Sequence, residues 1–242
     1  MYYFISDVHL GLLERQTDRK REDLLLKVLD KISIDAKEIF LVGDIFDYWF
    51  EYKEVVPSHF YRTLNKIDEL KQKGIPITYI MGNHDFGHKS FFLNEFNIKI
   101  ERGDIERIIN SKKFYISHGD GKSKNDIGYL ILKKILRSPI SNFLFRLIHP
   151  DLGIKLAKGS SSTSRDHTDK KDYGSNDGMK EFAFKKLEEG FDFVVMGHRH
   201  KAETIAHSNG YYINLGEWLK TPTFGVYDGN HFTIVDVNDF LK

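Results

Sequence analysis

The sequence IPITYI (75–80) runs directly into MGNHDF (81–86), so an apolar segment of strand character ends in a glycine and then presents an amide, an imidazole and a carboxylate side by side. The same arrangement occurs four more times. YYFIS (2–6) precedes Asp7 and His9, IFLVG (39–43) precedes Asp44, FYIS (114–117) precedes His118, and FVVMG (193–197) precedes His198 and His200. In open α/β sheets ligands bind beyond the carboxyl ends of strands, where the chain leaves the hydrogen-bonded ladder and can aim side chains at one crevice. Five ends of this kind are expected to face one place.

Working outward, short apolar runs alternate with helical patterns. YYFIS is followed by a helix over Glu22 to Ile32, EIFLVG by one over about Ser58 to Lys73, and ITYIMG by a short helix through SFFLNEF. This alternation predicts an α/β chain with βαβ units around a mixed sheet. In IKIERGDIERIINSKKFYIS (98–117) the Gly-Asp and Asn-Ser breaks suggest hairpins. Helices are expected over Asp126 to Leu136 and Ile140 to Ile148, split at Ser138-Pro139 because proline lacks an N–H. The segment 159–177 is polar and aperiodic and reads as a loop, after which a helix over Gly178 to Glu189 and strands through FDFVVMG, AETIAH, GYYINLG and TFGVYD complete the chain.

The chain has 242 residues, an apolar fraction of 40 %, a net charge of +1 and no cysteine. Its length suits one substantial core, read as a single domain over 1–242 with an insertion over 121–175. Without sulfur ligands, any metal must be held by oxygen and nitrogen. MYYFIS leads straight into the first acidic motif with no room for a signal peptide, and no apolar run approaches the ~20 residues of a membrane span. The expected location is cytoplasmic. Gly121 to Lys158 holds eight Lys and Arg against two acidic residues, so this segment carries +6 and the remainder −5.

Each constellation alone is weak. A lone Asp-x-His after a strand is most often a turn with an incidental histidine, Gly-Asp is a common turn, and a single histidine means nothing; the ordered set with one local context is what argues for function. His59, His88, His149, His167, His207 and His231 lack that context and are read as solvated or structural. Carboxylates, imidazoles and an amide oxygen suit Mn²⁺, with Fe or Zn²⁺ also compatible, and seven such groups suffice for two divalent ions sharing a bridging carboxylate. Such pairs polarise phosphoryl oxygens and lower the pKa of bound water. His84 is read as the group that donates a proton to the departing oxygen, with Asp85 as the partner that fixes its tautomer.

The motifs DVH, GDIFD, GNHD, HGD and GHRH, in this order from Asp7 to His200, resemble the signature of the calcineurin-like metallophosphoesterase superfamily. The resemblance implies a four-layer fold, a two-sheet β-sandwich flanked by helices. It also implies Asp7, His9 and His200 on one ion, Asn83, His118 and His198 on the other, and Asp44 bridging both. FISDVHLG, GDIFDYWF, HGDG followed by a helical insertion, and NLGEWL are in addition similar to the UDP-2,3-diacylglucosamine hydrolase family, over nearly the whole chain. That likeness implies cleavage of a nucleotide-linked lipid to UMP and 2,3-diacylglucosamine 1-phosphate, with substrate contacts on Asn83, His84, Asp126, Ser164, Thr168, Lys171 and His198. One position departs from the hydrolase pattern: His84 stands where that family places Arg, as the wider superfamily does.

The +6 segment carries apolar positions from Ile127 to Ile148 beside Lys133, Lys134, Arg137 and Arg146. Read functionally it is a helical cap, offering acyl chains an apolar slot and offering phosphates or an anionic inner-membrane surface its cations. Read plainly it is a docked helical pair with a solvated face. A nuclease or phosphodiesterase is the alternative within the superfamily, but nucleic acid needs a basic track and the body sums to −5. A non-catalytic scaffold is the alternative of another class, and it has no need to keep all seven ligands.

Overall fold

A computed structural model describes residues 1–122, 134–135, 137–155 and 177–242. Two sheets form its centre. The first has the order β11-β10-β1-β2-β3-β4, from β1 (Tyr2–Ile5), β2 (Glu38–Val42), β3 (Ile77–Ile80), β4 (Ile100–Glu101), β10 (Thr223–Tyr227) and β11 (Phe232–Asp236). The second has the order β5-β6-β7-β9-β8, from β5 (Ile105–Ile109), β6 (Lys112–Ser117), β7 (Phe193–Met196), β8 (Glu203–His207) and β9 (Gly210–Asn214). Strands β1, β2, β3 and β4 pair in parallel, as do β6, β7 and β9.

The side-chain alternation of these strands makes four layers. Phe4, Phe40, Val42 and Ile80 face Phe114, Ile116, Phe193, Val195 and Ile213 between the sheets. Tyr3, Ile5, Ile39, Leu41, Ile77 and Tyr79 face the other way, onto the buried sides of α1 (Arg15–Ile32), α2 (Tyr61–Gln72) and α3 (Phe91–Phe96). Tyr115, Val194, Met196 and Tyr212 face α5 (Gly178–Glu188) through Met179, Ala183 and Leu187. Because the central strands are buried on both faces, they read as continuous apolar runs.

Several elements differ from the sequence expectation. Helix α1 begins at Arg15, seven residues before Glu22. The Asn110-Ser111 break is a hairpin with both residues left-handed, joining β5 to β6. The break at Gly103-Asp104 is not a hairpin, because β4 belongs to the first sheet and β5 to the second. Strand β11 and the short helix α6 (Val237–Leu241) go beyond the elements expected.

Within the insertion, α4 (Pro139–Arg146) starts with Pro139 in its first turn and Ser138 as N-cap, the Ser138 hydroxyl accepting from Ser141 N. It docks through its arginines. Arg137 Nη2 donates to Gly82 O at 2.8 Å, and Arg146 Nε donates to Glu51 O at 2.9 Å. Phe145 packs on Phe50 with ring centroids 4.4 Å apart. Two of the four cations singled out in the sequence, Arg137 and Arg146, thus also satisfy main-chain carbonyls. Among the described residues no helix is long and apolar enough to cross a membrane.

Candidate active site

The parallel pairing brings the carboxyl ends of β1, β2 and β3 to one edge of the first sheet and those of β6 and β7 to one edge of the second. Beyond the strands the first two loops still run side by side: Asp7 N donates to Gly43 O at 3.2 Å and His9 N to Asp44 O at 2.9 Å. The two sheets are clasped at this edge. His198 N donates to Asp7 Oδ2 at 3.0 Å, and His118 Nδ1 lies 2.9 Å from Val42 O. Five of the expected ligands, Asp7, His9, Asp44, His198 and His200, have φ between 51° and 68°. Non-glycine residues in that region cost roughly 1–3 kcal/mol each and persist where the surroundings over-determine them, typically at functional sites.

The glycine that ends three of these strands has a steric reason. A Cβ on Gly82 would lie 2.1 Å from Asp44 Oδ1, one on Gly43 2.5 Å from His118 Nδ1, and one on Gly197 2.3 Å from Asp7 Oδ2. The carboxylates and imidazoles sit directly against these main-chain positions.

Asp7, His9 and His200 form one cluster of donors, and Asp44, His118 and His198 another, the ligand atoms of each lying within 4.8 Å of one another. Asp44 Oδ2 faces both, 3.2 Å from His118 Nε2 and 3.9 Å from His9 Nε2. The donor chemistry fits cations. Val42 O can only accept, so His118 Nδ1 carries a proton, and its Nε2 then faces Asn83 Oδ1 at 3.0 Å and Asp44 Oδ2, both acceptors. Nε2 therefore holds either a second proton or a bound cation between these acceptors, and a cation takes the place of the proton. In the other cluster His9 Nε2 and His200 Nε2 face each other at 3.1 Å, and the buried Asp7 Oδ1 stands 3.8 Å from the first and 3.4 Å from the second, so three ligand atoms converge on one point.

His84 lies in the same crevice, buried, with its ring Nε2 4.0 Å from Asp44 Oδ2 and its main-chain N–H donating to Asp44 Oδ1 at 2.8 Å. Its expected partner does not take that role. Asp85 accepts from Gly82 N at 2.7 Å, Ile45 N at 3.1 Å and Tyr79 Oη at 2.6 Å, which ties the loop after β3 to that after β2. The carboxylate at His84 Nδ1 is Asp47, 3.6 Å away, which also stands 3.3 Å from His9 Nδ1. Asp47 was visible in GDIFD as a second acid three residues after Asp44. Asp126, Ser164, Thr168 and Lys171 lie outside the described residues. His88 is structural, its ring buried against Trp49, Tyr79 and Phe92.

The electrostatics follow from burial and crowding. Burial pushes the Asp44 and Asp7 carboxyls up, but neighbouring imidazoles outweigh it and hold both below the usual carboxylate range, Asp44 well below. Burial and the charge of Asp44 push Asp85 up to about 6. Burial pushes the His118 imidazole down, and the carboxylates of Asp44, Asp7 and Asp120 reverse this and carry it up to about 10. Burial, then the charge of His118, pushes His198 down to about 4.

A metal-holding α/β crevice between two clasped sheets defines a phosphoesterase class, and the comparisons agree. Residues 2–202 match the Calcineurin-like phosphoesterase family, and the chain belongs to it. It is a metal-dependent hydrolase. The chain is similar to UDP-2,3-diacylglucosamine hydrolase of Porphyromonas gingivalis, 30 % identical over 98 % of this chain and 97 % of that one. It is also similar to UDP-2,3-diacylglucosamine hydrolase of Pseudomonas fluorescens, 28 % identical over 91 % of this chain and 88 % of the relative. Two solved structures share the fold: an archaeal phosphodiesterase, TM-score 0.50 and 15 % identity over 97 % of this chain and 98 % of that one, and the phosphoesterase Yfce from E. coli, TM-score 0.51 and 13 % identity over 98 % and 93 %.

Gly82→Ala should displace Asp44 and weaken metal binding by about 10–100-fold, as loss of ligand support commonly does, with the far-UV circular dichroism unchanged. Elemental analysis after loading and desalting reads this, and wild-type metal content in the variant would show that the loop yields to the methyl group.

Metal uptake should release protons, because the His118 imidazole must be neutral to bind a cation. A raised folded-state pKa means that the protonated form stabilises the metal-free protein below about 6.5 and that this contribution fades as pH rises towards about 10. Metal affinity should therefore rise with pH through the neutral range. Calorimetric titrations in buffers of different ionisation enthalpy would report the released proton; identical heats in all buffers would contradict it.

Proposed function

We propose that the protein hydrolyses UDP-2,3-diacylglucosamine to UMP and 2,3-diacylglucosamine 1-phosphate with two divalent cations, Mn²⁺ in the first instance. Asp7, His9 and His200 would hold one, Asn83, His118 and His198 the other, with Asp44 shared. The observation that carries the substrate is the likeness to UDP-2,3-diacylglucosamine hydrolases over almost the whole chain, 98 % of it for the Porphyromonas gingivalis relative. A second feature supports it. Ile140, Phe143 and Leu144 on α4 and Leu147 directly after it are 57–73 % exposed, and the helix has no buried residue and docks through the flanking Arg137 onto Gly82 O, beside Asn83. On this reading the segment 121–175 is a cap, its apolar face receives acyl chains, and the protein works at the cytoplasmic face of a membrane by peripheral contact.

When bound, such cations polarise the phosphoryl oxygens and supply hydroxide near neutral pH. The chain's own part is placement and proton transfer. Asp44 and His118 fix the floor of the crevice, while His84 stands beside it with Asp47 at its Nδ1. An anion at Nδ1 stabilises the imidazolium, so His84 Nε2 can hand a proton to the departing oxygen, a contribution of typically 10²–10⁴-fold.

The direct test is to incubate Mn²⁺-loaded protein with UDP-2,3-diacylglucosamine and look for UMP and the lipid monophosphate by mass spectrometry. Phe143→Glu with Leu147→Glu should raise KM for the diacylated substrate and leave a small soluble phosphodiester nearly untouched, because remote acyl binding appears in KM while the metal site does the chemistry. Equal losses on both would make α4 structural.

His84→Ala should keep the metals, lose on the order of 10²–10⁴-fold on a poor alkoxide leaving group, and lose far less on p-nitrophenolate, which departs without a proton. If His84→Arg restores wild-type rates on both substrate types, His84 is an electrostatic clamp and not a proton donor.

A further inference from the structure

His198 and His200 come from one loop yet face different donor clusters, and both have left-handed backbones, with φ of 68° and 54°. Arg199 stands between them. Its N–H donates to Gly197 O at 2.8 Å, its side chain is only 8 % exposed, and its guanidinium Nη2 pairs with Asp177 Oδ1. Asp177 is also the N-cap of α5, accepting from Met179 N at 3.0 Å and Lys180 N at 3.3 Å. The next residues of α5 reach the other histidine loop: a Cβ on Gly119, beside His118, would lie 2.5 Å from Met179 Cε. On its far side the histidine loop is held by Asn214 Nδ2, which donates to Gly197 O at 2.7 Å.

We infer that Asp177 and Arg199 form a positioning pair that sets the separation of His198 and His200 and so lets both donor clusters share Asp44. This rests on the cation-binding reading of the crevice. The physical reason is that two left-handed residues flanking Arg199 cost free energy unless the surroundings over-determine them, and a nearly buried, charge-assisted contact is directional enough to do so. Breaking the contact uncouples the nearly buried Arg199 side chain from the N-terminus of α5, so the loop is expected to relax, not merely loosen at the surface. Because Asp177 also anchors α5 beside the His118 loop, the pair fixes one histidine loop relative to the other.

Asp177→Asn isolates this role, since Asn is as good an N-cap as Asp and α5 is retained. Arg199→Met removes the other partner, and Arg199→Lys keeps the charge without the fork. Each variant is titrated with Mn²⁺ alone and followed by calorimetry and by the electron paramagnetic resonance of the spin-coupled ion pair, with thermal unfolding alongside. Asp177→Asn and Arg199→Met should each weaken Mn²⁺ binding by about 10–100-fold and replace the coupled spectrum by that of isolated ions, with Arg199→Lys falling between them and wild type. The double variant should be no worse than either single one. On bis-p-nitrophenyl phosphate kcat should fall while KM stays. A coupled spectrum and affinity of wild-type size in Asp177→Asn would overturn the inference, as would additive losses in the double variant. A wild type that takes up no Mn²⁺ would remove the cation reading and this one with it.

Discussion

The placement of Asp44 is the constraint on which the crevice depends. Its Oδ2 faces both donor clusters, its Oδ1 accepts from His84 N, and its backbone is left-handed. A side chain on the neighbouring strand end would displace it, because a Cβ on Gly82 would lie 2.1 Å from Oδ1. A carboxylate buried this deeply is unfavourable alone, and the imidazoles around it are what keep it ionised. The site is thus over-determined from several loops, which is how a strained backbone persists.

Two sheets are needed for that convergence. A single parallel sheet aims its loops along one line, whereas here Asp7, Asp44 and Asn83 come from the first sheet and His118, His198 and His200 from the second. The aromatic layer between them, with Phe4 on Phe114 at 6.1 Å and Tyr227 on Phe114 at 4.9 Å, fixes their separation. Hydrogen bonds at the edge, His198 N to Asp7 and His118 to Val42 O, then convert that separation into ligand geometry. Packing and coordination are coupled through a few atoms.

The strand ends were legible in the sequence because strands buried on both faces give unbroken apolar runs, and an abrupt change to Asp, Asn or His marks where they stop. The start of α1 was not legible, for a physical reason. Its first two turns bury Asp18, Arg21 and Glu22 in place of apolar residues: Asp18 pairs with Arg21, Arg21 donates to His9 O at 2.8 Å, and Glu22 accepts from Thr63 Oγ1 at 3.1 Å. A polar stretch that is buried because its charges are paired looks like a loop to any hydrophobic periodicity. The partner of His84 was misplaced for a similar reason. Adjacency suggested Asp85, but successive side chains point apart, and the acid that reaches the imidazole is 37 residues away along the chain, at Asp47.

Part of the insertion's charge excess is tied to the main chain. The excess of Lys and Arg over 121–158 suggested cations aimed at phosphates or lipid headgroups, yet Arg137 and Arg146 donate to the carbonyls of Gly82 and Glu51. A guanidinium satisfied by the main chain keeps its charge but loses much of its freedom to follow a ligand. What α4 presents outward is instead a row of half- to three-quarters-exposed Ile, Phe and Leu side chains, beside a loop that carries Asn83 and His84. Burying four such side chains is worth roughly 1.5–3 kcal/mol each at full burial. On the proposed reading, the acyl chains of a nucleotide-linked lipid gain that free energy at a distance from the scissile bond, while the donors of the two clusters act on a phosphate group they would treat alike in any ester.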